Sequence, residues 1–203
     1  MKEPTAVGID LAGSPGRPTG LCVLKGLRGK TFLLFSDDEI LAKVPREAAL
    51  IAIDAPLFLP KGRCCLEDDC PCAGGSHFRQ CDLELRELKI KFFPVTLGPM
   101  RALTQRGIAL RKRLEGEGFS VIETYPGGAQ DLWGIPRQKD MKGLRRALQG
   151  FGFRGDPARG ELSRHELDAI TCALVAREHL KGRSLELGDR EEGLLVLPAA
   201  GRI

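Results

Sequence analysis

The sequence predicts an α/β domain: a mixed five-stranded sheet, an antiparallel meander continued by parallel strands, flanked by helices and interrupted by a Cys-rich insertion. Three observations carry this. Short apolar runs closed by Gly, Pro or Asp read as buried strands. Three such runs come first, and the later ones alternate with helical patterns, the order that builds parallel crossovers. Five of the seven cysteines fall between residues 59 and 93, where the periodicity lapses. A chain of 203 residues fits one domain, residues 1–203. Folding at that size buries roughly 70% of the unfolded surface, enough for a core without disulfides.

The elements follow in order. TAVGIDL is a first strand, and GSPGRPTG after it, dense in Gly and Pro, is a loop. GLCVLKG and KTFLLFS are the second and third strands, joined by a short turn at Leu27 to Gly29. Ser36 caps a short helix through Asp37, Asp38 and Glu39 to Lys43, with acids in the first turn where the helix dipole favours them. ALIAIDAPL is a fully apolar strand that Pro56 stops. Within the insertion, Arg79 to Ile90 suits one helix, and Met100 to Glu117 is the next. FSVIETYP is the fifth strand. GGAQDLWG and KGLRRALQGFG are two short helices. Ser163 opens a long helix to Leu180 with a capping box to Glu166. GLLVLP near the end reads as one more short strand or an extended tail.

Composition excludes several classes. Hydrophobic residues make up 42% and charged residues 29%, which is globular rather than disordered. No run approaches the ~18 apolar residues of a membrane span. The N-terminal MKEPTAVGIDLAGS turns polar too early for a secretory leader, so a cytoplasmic protein with no membrane partner is expected. The net charge is +4 but unevenly spread: Arg86 to Arg113 holds eight basic residues and one acid, and Arg137 to Arg159 seven basic residues and two acids. Concentrated positive charge suits a polyanion such as nucleic acid, or else solvated helix faces. Only 5% of residues are aromatic, which argues against a base-stacking platform. GSPGRPTG lacks the Lys-Ser/Thr ending of a P-loop, and the chain is too short for the two domains of an actin-like kinase.

Three strands carry an acid near the C-terminal end: Asp10, Asp54 and Glu123. A carboxylate buried among apolar neighbours is costly without a cation or donors. Parallel neighbours would bring the three to one sheet edge, where open α/β folds bind ligands. On the last helix Asp168 shares a stripe with Thr171, Cys172 and Val175 and so faces the sheet. Four oxygen ligands suit Mg²⁺ or Mn²⁺, and such ions support phosphodiester cleavage. For each acid singly, the alternative is a strand-end cap on backbone donors. The cysteines lack the paired CxxC of a zinc ribbon. A structural metal on Cys64, Cys70, Cys72 and Cys81, either Zn²⁺ or an iron–sulfur cluster, stands beside disulfides and free thiols as open readings. Disulfides are disfavoured in the cytosol. Cys22 and Cys172 read as core residues.

Six segments in this order, GIDLAGS, IAIDAPL, RQCDLELR, LTQRGIAL, VIETYPGGAQ and SRHELDAITCALVA, resemble a prokaryotic family of predicted RNase H-like nucleases, domain of unknown function 429. The resemblance runs over nearly the whole chain. It implies an RNase H-like fold and a Mg- or Mn-dependent nuclease acting on DNA or RNA. It matches Asp10 to the first-strand Asp of RNase H-like enzymes, Asp54 to the acid on the fourth strand, and Asp168 to the last-helix acid of Holliday-junction resolvases. Glu123 lies on the fifth strand, where a catalytic acid is less usual, and is read as support for the metal shell. Within RQCDLELR, Arg79, Asp82 and Arg86 share a helical face and read as a phosphate clamp or an intrahelical ion pair. Arg106 in LTQRG is a weaker candidate of the same kind. Tyr125 would point with Glu123 and orient a carboxylate or phosphate, or pack at the core edge. His165 could assist proton transfer, and Lys139 and Lys142 could neutralise phosphate. Two competing expectations are a non-catalytic nucleic-acid or protein-binding module, and hydrolysis of a small phosphorylated metabolite. Oligomeric state is not legible.

Overall fold

The computed structural model describes residues 3–155 and 160–201. Asp156 to Arg159, the end of the second basic stretch, lie outside the described residues. β1 (Thr5–Asp10), β2 (Thr19–Lys25) and β3 (Arg28–Leu34) form the antiparallel meander. Gly26 takes the positive φ, 61°, that a two-residue hairpin loop demands. β4 (Ala48–Asp54) lies parallel to β1, and β5 (Val121–Thr124) parallel to β4, as the alternating pattern predicts.

The sheet has seven strands rather than five, in the order β3-β2-β1-β4-β5-β7-β6. GLLVLP is a strand, β7 (Gly193–Pro198), parallel to β5. The strand absent from the sequence reading is β6 (Ser184–Asp189), antiparallel to β7. SLELGD is half polar and contains a Gly, so it carries no apolar run. It is an edge strand held by backbone pairing to β7 and by the helix packed beside it, which is information its own residues do not contain.

α1 (Asp37–Lys43) starts at the expected Ser36 cap, and Glu39 makes the cap reciprocal by accepting from the Ser36 amide. α2 (Gln80–Glu87) and α3 (Gly98–Gly116) lie close to the expected bounds. α4 (Pro126–Leu132) and α5 (Met141–Gly150) are the two short helices. α6 (Arg164–Leu180) carries the Ser163–Glu166 capping box. Helices cover both faces of the sheet. On one, Leu110 and Leu114 of α3 pack with Val7, Ile9, Ile51 and Ile53. On the other lies α6, buried without interruption from Glu166 to Ala176. The core there joins it to Leu85 of α2, Trp133 after α4 and Leu144 of α5. Among the described residues no helix is long and apolar enough to cross a membrane.

Two glycines set how close α6 comes. A Cβ on Gly8 would lie 2.1 Å from the Ala169 carbonyl oxygen, and one on Gly20 would lie 2.1 Å from that of His165. Both are far inside contact distance, so the helix backbone rests directly on β1 and β2. That contact delivers His165 and Asp168 to the C-terminal end of β1.

Candidate active site

Asp10 and Asp54 are partners in the parallel β1–β4 register, so their side chains leave the same face at the same level. That is the face with Gly8, the one α6 covers. Asp10 lies near enough to Asp54 to disfavour its ionised form. Asp54 is held well above the usual carboxylate range, first by loss of water and then by the charges of Asp10 and Asp168. Asp168, buried on α6, is pushed up to about 6 by burial and then by Asp10. Cys172, one turn further along α6, lies under the trio: burial raises its thiol, and the charges of Asp54, Asp10 and Asp168 raise it further. Three acids from three elements therefore meet at one sheet edge.

Asp10 and Asp168 are held by neighbours of fixed geometry. His165 Nδ1 lies 2.7 Å from Asp10 Oδ2. Arg164 Nε donates to His165 Nε2 at 3.3 Å, which leaves Nδ1 as the protonated nitrogen facing Asp10. Gln130 Nε2 donates to Asp168 Oδ1 at 2.7 Å and to Thr171 Oγ1 at 3.2 Å. Gln130 is a site residue with no chemical signature of its own in the sequence; it closes VIETYPGGAQ, and its partner Asp168 lies one turn before Cys172. Among the described residues no Lys or Arg forms an ion pair with Asp10, Asp54 or Asp168. Nor do these oxygens form as tight a donor set as the cysteines described below.

Glu123 stands apart. In the β4–β5 register it pairs with Ile53, while Thr124 pairs with Asp54. Side chains alternate between faces, so Glu123 leaves the opposite face from Asp54. There it accepts from Arg79 Nη1 at 2.8 Å and from the Leu57 amide at 2.7 Å. Its carboxyl is nonetheless raised, because burial outweighs the Arg79 charge.

The basic residues separate into fasteners and an open groove. Arg79 is 4% exposed and binds Asp82 and Glu123, tying α2 to β5. Arg106 is equally committed: its three nitrogens reach Asp37 Oδ1, the Ala12 carbonyl and the Phe35 carbonyl. It fixes the loop after Asp10 to the start of α1. Arg86 is exposed, over the Phe78 ring at 4.7 Å. Tyr125 donates its hydroxyl to the Lys91 carbonyl at 2.8 Å and accepts from Arg137, which also pairs with Asp131. Lys142 is exposed and lies at the start of α5.

A cavity of about 260 Å³ opens beside Asp54, lined also by Thr124, Tyr125, Phe92, Phe93, Met100 and Leu103. It adjoins a groove of about 770 Å³ that shares Phe92, Phe93 and Tyr125 with it. Arg86, Lys89, Lys91, Arg137 and Lys139 line that groove, together with Phe78. Few aromatics exist in the chain, but four of them gather here among five cations, a concentration that composition does not reveal. A larger basic cleft, about 850 Å³, lies along β2 and β3 with Lys25, Arg28, Lys30, Lys43 and Arg154, away from the acids.

The cysteine set also differs from the expectation. The Sγ atoms of Cys64, Cys65, Cys70 and Cys72 all lie within 4.8 Å of one another, a donor group able to hold a metal such as Zn²⁺. Cys81 is not among them. It sits on the inner face of α2, buried in the core with Leu85, and Cys65 takes its place.

No curated protein and no solved structure matches the chain. Residues 8–193, from the first strand to the start of the last, match the family described as Protein of unknown function (DUF429), and the chain belongs to that family.

Proposed function

We propose that this protein is a metal-dependent nuclease of RNase H-like fold, hydrolysing phosphodiester bonds in nucleic acid at Asp10, Asp54 and Asp168. The observation that carries the reading is the meeting of these three carboxylates at the C-terminal sheet edge. Two of them, Asp54 and Asp168, are raised by burial and then by the charge of Asp10. The meander continued by parallel strands supports the fold assignment. An all-oxygen donor set that is desolvated and, among the described residues, without a Lys or Arg ion pair fits a hard divalent cation such as Mg²⁺ or Mn²⁺. Bound by Asp10, Asp54 and Asp168, that cation would supply charge neutralisation and a water acidic enough to lose a proton near neutral pH.

The protein's own groups do the remaining work. His165 orients Asp10 through Nδ1, and Gln130 fixes the Asp168 carboxylate. The groove lined by Arg86, Lys89, Lys91 and Lys139 holds a phosphate backbone. Phe93, 68% exposed, and Tyr125 offer ring faces to bases. Because groove and cavity share their aromatic wall, a strand lying in the groove passes Asp54.

The test is cleavage of end-labelled DNA, RNA, hybrid and branched substrates with Mg²⁺ or Mn²⁺. Wild type is expected to cut at least one of them and Asp10→Asn none. Identical behaviour of the two proteins on every substrate, with salt-sensitive binding intact in both, would instead establish a binding module. Inhibition by mononucleotides as strong as by long strands would point to a small phosphorylated substrate.

A further inference from the structure

We propose that Cys64, Cys65, Cys70 and Cys72 hold one Zn²⁺ in a closed tetrahedral site, and that this ion folds the wall beside the Asp54 cavity. Such a site does not depend on the protein being a nuclease. The sulfur separations are 3.5 Å for Cys64–Cys70, 3.7 Å for Cys65–Cys72 and 3.3 Å for Cys70–Cys72. Four thiolates at the Zn–S length of about 2.3 Å stand roughly 3.8 Å apart along the edges of a tetrahedron. A disulfide needs about 2.05 Å. A [4Fe–4S] cluster puts each cysteine on a separate iron, which spreads the sulfurs further than one ion does. The observed spacing suits a single central ion. Four protein ligands leave no open position, so the site is structural and not catalytic.

The surroundings require such a staple. From Ala55 to Arg79 the chain has no α-helix or strand, only one 3-10 turn at Pro71–Gly74. A structureless stretch of that length inside a compact domain is uncommon without something to hold it. Between the first and last cysteine of the set, Leu66 is the only residue among the buried hydrophobics. Arg63 cross-links the turn by donating to the carbonyls of Ala73, Gly75 and Ser76. His77, the nearby alternative ligand, is engaged with Thr96 at 2.9 Å.

What the staple positions is visible in its outward contacts. Asp68, in the loop between the two cysteine pairs, takes both terminal nitrogens of Arg101 at 2.8 and 2.5 Å. Glu67 accepts from Gln105 at 3.1 Å. Both partners are on the first turns of α3, beside Met100 and Leu103 of the cavity wall. Loss of the ion would free this loop and loosen that wall while the sheet stays folded.

The experiment is metal analysis of the purified full chain, isolated without chelators, with Cys22→Ser as a control outside the cluster. Wild type and the control are expected to carry zinc at a stoichiometry near one. Replacement by Co²⁺ should give the visible bands and sulfur charge-transfer absorption of tetrahedral thiolate cobalt. Cys70→Ser should lose the metal. If that variant does not fold, a mercurial added to the native protein should release the zinc as the four thiols react. Metal-stripped protein should be cut within residues 60–78 at least about tenfold faster by protease, with cleavage elsewhere unchanged. Iron in place of zinc, a Cys–Cys bond found by mass spectrometry, or four freely titratable thiols in metal-free protein supplied with Zn²⁺ would each overturn the proposal.

Discussion

At the residue scale, the acids divide by what neutralises them. Asp168 titrates near 6 in the folded protein against an ordinary value of 3.8. Between those two values the folded chain binds a proton that the unfolded chain has released, so stability falls as pH rises through the window. Above it, the folded protein bears the full cost of a buried charge beside Asp10. In metal-free buffer Asp168→Asn should therefore stabilise by about 2–3 kcal/mol at pH 7–8 and by almost nothing at pH 4. Thermal melts across that range check it, and an equal effect at both ends contradicts it. Adding Mn²⁺ should raise the wild-type melting temperature and leave the variant's unmoved. Glu123 is the contrasting case: burial raises it too, but its ion pair with Arg79 offsets part of that cost. Arg79→Met leaves Glu123 and Asp82 buried without their cation and should cost about 3–5 kcal/mol in urea unfolding. Adding Glu123→Gln to that variant should recover part of the loss. A cost below ~1 kcal/mol would place the pair in a surface-like environment.

At the element scale, the site depends on how closely α6 lies on the meander. Gly8→Ala puts a methyl against the backbone of Ala169 and Ala173, which cannot swing aside as a side chain would. The helix must shift, at a cost of about 1–3 kcal/mol or more. The shift carries Asp168 away from Asp10, so cleavage should fall more steeply than stability. Gly16→Ala, with nothing within 4 Å, is the matched control and should change neither. Retained activity in Gly8→Ala would show that the approach of α6 does not set the carboxylate geometry. Much of this scale was readable beforehand. The cap at Ser36 and the capping box at Ser163 form as the sequence predicts, because a cap is a contact between residues three apart and needs no tertiary information. β6 was not readable, since an edge strand is stabilised by its neighbour's backbone.

At the scale of the whole molecule, charge and shape act together. The groove cations come from α2, the segment following it and the turn before α5, brought side by side only by folding. Lys91 and Lys139 are exposed there. Replacing both with Ala should weaken nucleic-acid binding and lower the slope of log K against log salt by about 0.7–0.9 per lost contact, with the melting temperature unchanged. The matching pair Lys25→Ala and Lys30→Ala in the cleft along β2 and β3 tells the two basic surfaces apart. If that pair reduces the slope and the groove pair does not, the strand runs along the meander edge instead.

Local sequence alone is enough for the meander, the parallel strands after it, most helix bounds, and the choice of Asp10, Asp54 and Asp168 as the residues to watch. Those conclusions rest on periodicity, turn chemistry and capping, which are local, together with a resemblance carried by ordered segments. Tertiary structure decided the rest. Register put Thr124, and not Glu123, level with Asp54, because a phase difference of one residue between strands turns a side chain to the other face. Helix facing sent Cys81 into the core and left Cys65 with the other three thiols. Position relative to buried partners made Arg79 and Arg106 fasteners, whereas Arg86 stayed in solvent. Each outcome depends on which face meets which neighbour, and that is fixed only when the whole chain packs.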